Sequence, residues 1–223
     1  MLKGFVFDLD GVITDTAQYH YEAWKRVAEE ETGIVIDESV NEQLKGLSRM
    51  DSLNTILKFG HKEEAYTDTE KAVIASEKND YYLKLIQNMT PADILPGMKE
   101  FLAAVKAAGY QTAIASASKN APAIIQRLGL IEDFNGIVDP TLLRHGKPDP
   151  EIFERAAELI NLDNSEVVGM EDAAAGIAGI NAAGQFSVGI GDPRILEDAD
   201  LIFRSTNEVD LGAIEAVFNT KDN

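Results

Sequence analysis

Phe5-Val6-Phe7-Asp8-Leu9-Asp10-Gly11-Val12-Ile13-Thr14-Asp15 is an apolar run that breaks on two aspartates and a glycine. Short apolar runs bounded by glycine read as buried strands. That puts Asp8 and Asp10 at a strand's carboxyl end, where open α/β sheets bind ligands. Two acids crowded there repel each other unless a shared proton or a cation relieves them. A hard divalent ion with oxygen ligands would do so, and Mg²⁺ is the usual choice beside phosphates. A polar strand-to-loop turn is the plain alternative, since Asp and Gly are ordinary turn residues.

Downstream the text divides in two. Residues 16–31 carry a helical pattern, with Asp15 and Gln18 as a capping-box-like start and Gly33 past the end. Helical stretches follow near 38–45, 49–59 and 67–88, and only Ile34-Val35-Ile36 hints at period 2. So much helix after one strand is too long for an ordinary crossover and reads as an inserted helical subdomain. The prolines and glycine of Pro91-Ala92-Asp93-Ile94-Leu95-Pro96-Gly97 read as the return linker. From there strands near 111–115, 136–138, 167–170, 186–190 and 201–203 alternate with helices, including 150–160, 173–182 and 208–218. That pattern means βαβ units and a parallel sheet with right-handed crossovers. The expected fold is α/β: a Rossmann-like parallel-sheet core, residues 1–15 and 91–223, with an α-helical cap subdomain, residues 16–90, inserted after the first strand.

Composition narrows the partners. The chain has 223 residues, 45% of them apolar, which suits one domain with an insertion and a normal core. A formal net charge of −18 argues against nucleic-acid or anionic-membrane partners and makes any anionic substrate depend on a few local Lys and Arg residues. The absence of cysteine excludes disulfides, thiolate zinc sites and a Cys nucleophile. The first apolar run breaks at Asp8, too early for a signal-peptide core, and no run approaches membrane-spanning length. A cytoplasmic monomer acting on small molecules is expected.

Loops after successive parallel strands converge on one edge of the sheet. Here they carry Asp8 and Asp10, then Ser116-Ala117-Ser118-Lys119-Asn120, then Lys147-Pro148, then Glu171-Asp172. Alone, each has a bland reading: an N-cap, a solvated loop lysine, an acid pair favouring a helix start. Together, the carboxylates would hold Mg²⁺, while the lysine and hydroxyls would bind the equatorial oxygens of a phosphoryl group in transfer. A free carboxylate beside the metal is then a plausible nucleophile, forming an aspartyl phosphate.

Asp8-Leu9-Asp10-Gly11-Val12 with Ser116, Lys147-Pro148 and Gly169-Met170-Glu171-Asp172 resembles the haloacid dehalogenase superfamily of aspartate-nucleophile phosphotransferases, over essentially the whole chain. The resemblance implies a nucleophile at Asp8 and a general acid/base at Asp10. It also implies Mg²⁺ held by Asp8, the Asp10 carbonyl and Asp172, with Glu171 supporting the metal directly or through water. Asp10 argues against dehalogenation, because a leaving oxygen needs a proton and a halide does not.

The finer text is similar to the superfamily's mutases that interconvert β-D-glucose 1-phosphate and D-glucose 6-phosphate through β-glucose 1,6-bisphosphate. The match includes residues 7–16, His20, Trp24, Asn41-Glu42-Gln43-Leu44-Lys45-Gly46, Ser48-Arg49, Asp51-Ser52-Leu53, Lys78-Asn79-Asp80 and residues 115–120. By that resemblance, Gln43, Lys45, Gly46, Leu47, Arg49 and Ser52 belong to a cap segment that binds the sugar and its distal phosphate. Ser118, Lys119 and Asn120 meet the non-transferring phosphate from the core side, Lys78 lines the substrate cleft, and Ala117 is a further substrate-binding candidate. Thr16, His20 and Trp24 recur at helical spacing and share one face of the first cap helix, where plain packing is the alternative for Trp24. Ala173 departs from the serine that usually follows the aspartate in such mutases. The rival enzyme is a sugar-phosphate phosphatase of the same fold; a signalling module phosphorylated on aspartate would need no substrate lid.

Overall fold

The computed structural model describes residues 1–44, 47 and 49–221. Lys45 and Gly46, two of the substrate-binding candidates, and Ser48 lie outside the described residues. The chain divides into two compact units, one of Met1–Asp15 with Met89–Asn223, the other Thr16–Asn88. The return crossing thus falls at Met89, just before the Pro91 at which the sequence places it.

The larger unit holds, among the described residues, a sheet of six strands: β1 (Gly4–Phe7), β2 (Gln111–Ile114), β3 (Gly136–Ile137), β4 (Val167–Glu171), β5 (Phe186–Ile190) and β6 (Leu201–Phe203). The order is β3-β2-β1-β4-β5-β6, and every pairing is parallel. The chain leaves β1 toward β2 on one side and later returns to β4 on the other, so the order reverses at β1. That reversal opens a crevice beyond the strands' carboxyl ends.

Successive side chains of β1 face opposite ways. Val6 packs into an apolar cluster with Ile152 and Phe153 of α7 (Glu151–Leu159) and Ile177 and Ile180 of α8 (Ala174–Ala182). Phe5 and Phe7 meet the edge of Phe101, on α5 (Met98–Ala107), at ring-centroid distances of 5.8 and 6.2 Å. Both phenylalanines are fully buried. Each contributes roughly 1.5–3 kcal/mol by leaving water. A strand buried on both faces is why this segment reads as a continuous apolar run.

The smaller unit contains α1 (Ala17–Val27), α2 (Glu38–Leu44), α3 (Arg49–Phe59) and α4 (Asp68–Ile86). The first ends in a π-helical stretch, Ala28–Thr32, stopped by Gly33 at φ 68°. Its N-cap is Thr16, with no capping bond from that side chain, which corrects the Asp15 capping expected from sequence. By contrast, α4 starts on a full capping box between Thr67 and Glu70. Ile34-Val35-Ile36 is not a strand. Ile34 and Ile36 are buried and Val35 is 63% exposed, so the period-2 burial is present. What is missing, among the described residues, is a neighbouring strand to complete a ladder.

The remaining helices, α6 (Ala121–Arg127) and α9 (Leu211–Lys221), belong to the larger unit. No helix among the described residues is long and apolar enough to cross a membrane.

Candidate active site

Asp8 is the residue just past β1, and its N–H donates to Met170 of β4 at 2.9 Å. The chain then closes on itself: Gly11 N–H donates to the Thr14 carbonyl at 2.8 Å, and the N–H groups of Ile13 and Thr14 donate to Leu9 at 2.9 and 3.1 Å. Gly11 takes φ 75°, and a side chain there would also strike Asp172, whose Oδ2 lies 2.0 Å from where a Cβ would stand. Glycine is therefore required twice over at this turn.

Lys147 reaches Asp8 from the loop before α7. Its Nζ donates to Asp8 Oδ1 at 2.6 Å and to Glu171 Oε2 at 2.7 Å, and lies 5.1 Å from the centre of the Phe153 ring. Burial works against this ammonium, but the charges of Asp8 and Glu171 outweigh it and raise its pKa. Glu171 is 2% exposed. Oxygen atoms of Asp8, Glu171 and Asp172 all lie within 4.8 Å of one another.

One lysine does not balance three carboxylates, and the titration of the acids reflects it. Burial, with the Glu171 charge behind it, pushes Asp8 up to about 6 against the pull of Lys147. Asp172 has an exposed side chain, but local desolvation and the neighbouring Asp8 charge push it up to about 6 as well. Burial also raises Glu171, opposed by Lys147. A divalent cation on this oxygen-only donor set would relieve the excess charge, so the residues fit a hard metal ion. The Asp10 carboxylate is not one of the three, although its charge acts on Asp172.

The loop after β2 adds hydroxyls. Ser116 is buried and its Oγ accepts the Ser118 N–H at 3.1 Å; the Ser118 Oγ accepts the Asn120 N–H at 3.2 Å. Ala117 and Lys119 are exposed, while Ser118 and Asn120 are half-buried.

The other candidates belong to the helical unit. His20 and Lys78 pair through Nδ1 and Nζ at 2.7 Å, so a neutral imidazole accepts from the lysine. His20 stacks on Tyr82 with centroids 4.1 Å apart, and Lys78 Nζ lies over the rings of Trp24 and Tyr82 at 5.1 and 4.9 Å. Arg49 donates from Nη2 to the neutral Asn79 amide oxygen at 2.7 Å, and its guanidinium forms no ion pair among the described residues. Burial and the Arg49 charge bring Lys78 down to about 7; burial, Lys78 and Arg49 bring His20 down to about 3. Trp24 is a core residue of this unit, 4% exposed. Thr16 and Ser52 are buried, whereas Gln43 and Leu47 are exposed, Gln43 donating to the Ser39 carbonyl at 3.2 Å.

The sequence reading missed Tyr82 and Phe153. Tyr82 follows Lys78 by one helical turn, a spacing that could have flagged it. Nothing in the sequence ties Phe153 to Lys147.

Residues 2–184 match the haloacid dehalogenase-like hydrolase family. The chain is 47% identical over 210 residues to the beta-phosphoglucomutase of Bacillus subtilis strain 168, covering 94% of this chain and 92% of that protein. It is 28% identical over 185 residues to a phosphorylated carbohydrates phosphatase of Thermotoga maritima, covering 82% of each. A crystal structure of beta-phosphoglucomutase from Clostridium difficile superposes with a TM-score of 0.90 at 44% identity, covering 100% of this chain and 99% of that one.

Proposed function

The chain belongs to the haloacid dehalogenase-like hydrolase family, and from that membership we propose that it interconverts β-D-glucose 1-phosphate and D-glucose 6-phosphate. The observation that carries the chemistry is Lys147, bonded to both Asp8 and Glu171 within a cluster of three carboxylates. Such a cluster brings a nucleophile and a fixed cation to the same phosphoryl group.

The catalytic cycle starts with Asp8 phosphorylated. Asp10 takes the proton of the sugar's 6-hydroxyl as that oxygen attacks phosphorus, and the Asp8–phosphorus bond breaks. The resulting β-glucose 1,6-bisphosphate turns end for end. Asp8 then attacks the 1-phosphate, Asp10 returns the proton to the leaving anomeric oxygen, and glucose 6-phosphate departs. Lys147 neutralises the equatorial phosphoryl oxygens. The Ser116 hydroxyl, whose oxygen already accepts a backbone N–H, has its own proton to donate to one of them. Asp8, Asp172 and the Asp10 carbonyl would hold Mg²⁺, with Glu171 in support. When bound, the ion supplies charge neutralisation that lets two anions approach.

The mutase reading, as against a phosphatase, draws on the cations of the helical unit. After burial, the Arg49 charge opposes protonation of Lys78, and Lys78 and Arg49 together oppose that of His20, so an anion there would be welcome. Arg49, with Ser118, Lys119 and Asn120 of the larger unit, is proposed to hold the phosphate that is not being transferred. The remaining candidates, Thr16, Trp24, Gln43, Lys45, Gly46, Leu47, Ser52 and Ala117, are assigned to the sugar's surroundings by resemblance. A cytoplasmic location and a monomeric state belong to the same reading.

The test is NMR of the products from β-glucose 1-phosphate with Mg²⁺ and a trace of bisphosphate primer. Accumulating glucose 6-phosphate with little free phosphate is expected. Stoichiometric free phosphate and glucose would instead make the protein a phosphatase.

A further inference from the structure

Glu171 is a bulky acid packed below the start of a helix, and both of its oxygens are occupied. Oε2 accepts from Lys147 at 2.7 Å, and Oε1 accepts the backbone N–H groups of Asp172 and Ala173, each at 3.2 Å. The room for it comes from α8. A Cβ built on Gly176 would lie 2.0 Å from both Cδ and Oε2 of Glu171 and 2.2 Å from its Cγ, and these are the three nearest atoms. The backbone of Gly176 is helical, so conformational freedom does not explain the glycine. Alanine is the better helix former, and alanines occupy 174, 175 and 178 of the same helix. Propensity therefore argues against glycine at 176, and space argues for it.

The end of a flexible side chain can usually yield to an added methyl. This one is 2% exposed and held by Lys147 and two backbone donors, so it can move only by giving up those bonds. Lys147 would then rest on the nucleophile Asp8 alone. We infer that Gly176 is a positioning residue: its missing side chain seats Glu171, and Glu171 in turn aims Lys147 at the phosphoryl group on Asp8. This role rests on the phosphotransfer reading above.

A double-mutant cycle tests it, using Gly176→Ala, Glu171→Asp and the two combined. Turnover of β-glucose 1-phosphate and the melting temperature are measured for each protein. Gly176→Ala should lower kcat at least about thirtyfold while KM for the sugar phosphate stays within about threefold, a split expected when only the transition state is affected. Its melting temperature should not fall by more than a few degrees. Glu171→Asp shortens the acid and frees the space, so adding Gly176→Ala to it should change kcat by less than about threefold.

Wild-type kcat in Gly176→Ala, or losses that multiply in the double variant, would overturn the role. Should Gly176→Ala fail to fold, the double variant must fold; if it too fails, the methyl clashes elsewhere and the inference is wrong. Were the wild-type protein to release phosphate instead of isomerising the sugar, the mutase assignment would fall, and the same cycle read as phosphate release would still decide the part played by Gly176.

Discussion

Lys147 sits between two acids, 2.6 Å from one and 2.7 Å from the other, in a pocket that otherwise carries negative charge. Its removal should cost more than a surface lysine's would. Lys147→Ala is expected to lower turnover at least about a hundredfold, the scale on which a fixed charge in a dry site acts. A loss below about tenfold, in a variant that melts normally, would reduce it to a structural ion pair. Asp8→Asn should have no measurable turnover, since an amide cannot form the acyl phosphate. The chain's departure at Ala173 has a separate consequence. Ala173 is the N-cap of α8, at φ −118° and ψ 143°, without a side-chain capping bond. Ala173→Ser should add about 1 kcal/mol of stability by supplying that acceptor, read as a higher urea midpoint with an unchanged slope. Asp8, Lys147, Glu171 and Asp172 were legible in the sequence because each stands where an apolar run ends or a helix is about to start. Gly176 was not, since its contact with Glu171 is made in three dimensions and leaves no periodic trace.

Helices α1 and α4 show how far a pattern can be read at the scale of elements. Thr16, His20 and Trp24 were expected on one face of a helix, and Trp24 indeed packs into the unit's core. What the pattern could not show is that α4 sends Lys78 against that face, with only 3% of its surface exposed. Two buried basic groups make stability depend on pH with a definite sign. His20 titrates at about 3 when folded, below its ordinary 6.5, so between those values the unfolded chain binds a proton that the folded chain refuses. Lys78, brought from 10.5 to about 7, does the same over a higher range. In both ranges these two groups bind more protons in the unfolded state, so their contribution to stability rises with pH, from about 3 to 6.5 and again from about 7 to 10.5. Asp8 and Asp172 of the larger unit, raised to about 6, act in the opposite sense from about 4 to 6. Urea unfolding at a series of pH values, followed by the fluorescence of the single tryptophan, Trp24, reports on this unit. Lys78→Met should flatten the alkaline rise, and His20→Gln the acid one. A wild-type profile that is flat from neutral to mildly alkaline pH would mean that Lys78 stays charged in the fold. The Ile34-Val35-Ile36 segment carries the complementary lesson: alternating burial fits a strand, but a strand also needs a neighbour, which no local pattern specifies.

The molecule as a whole is acidic, with a formal net charge of −18, yet its proposed substrates are anions. Binding must then fall to a few placed cations, and those proposed for it belong to both units: Lys147 to the larger, Arg49 and Lys78 to the smaller. The division was readable in the sequence as one strand, a long stretch of helix and then strict alternation, because the switch from period 3.6 to strand–helix text survives in one dimension. Which cations lie free of carboxylates among the described residues was not readable, because it depends on neighbours far apart in the chain, such as Asn79 for Arg49. That distinction separates a mutase from a phosphatase. A mutase must retain the phosphate that is not reacting and accept the same bisphosphate reversed, whereas a phosphatase releases its leaving group and admits water. Arg49→Ala should therefore weaken bisphosphate and glucose 6-phosphate binding by about tenfold or more, as loss of a guanidinium fork onto phosphate does. It should also raise the fraction of turnovers that end in free phosphate. Hydrolysis of acetyl phosphate, which has no second anion, should stay within about twofold of wild type, because only Asp8, Lys147 and their neighbours meet it. Isomerisation and phosphate release are measured side by side on the two substrates. Equal damage to both reactions, or to neither, would remove Arg49 from the second anion site and favour the phosphatase.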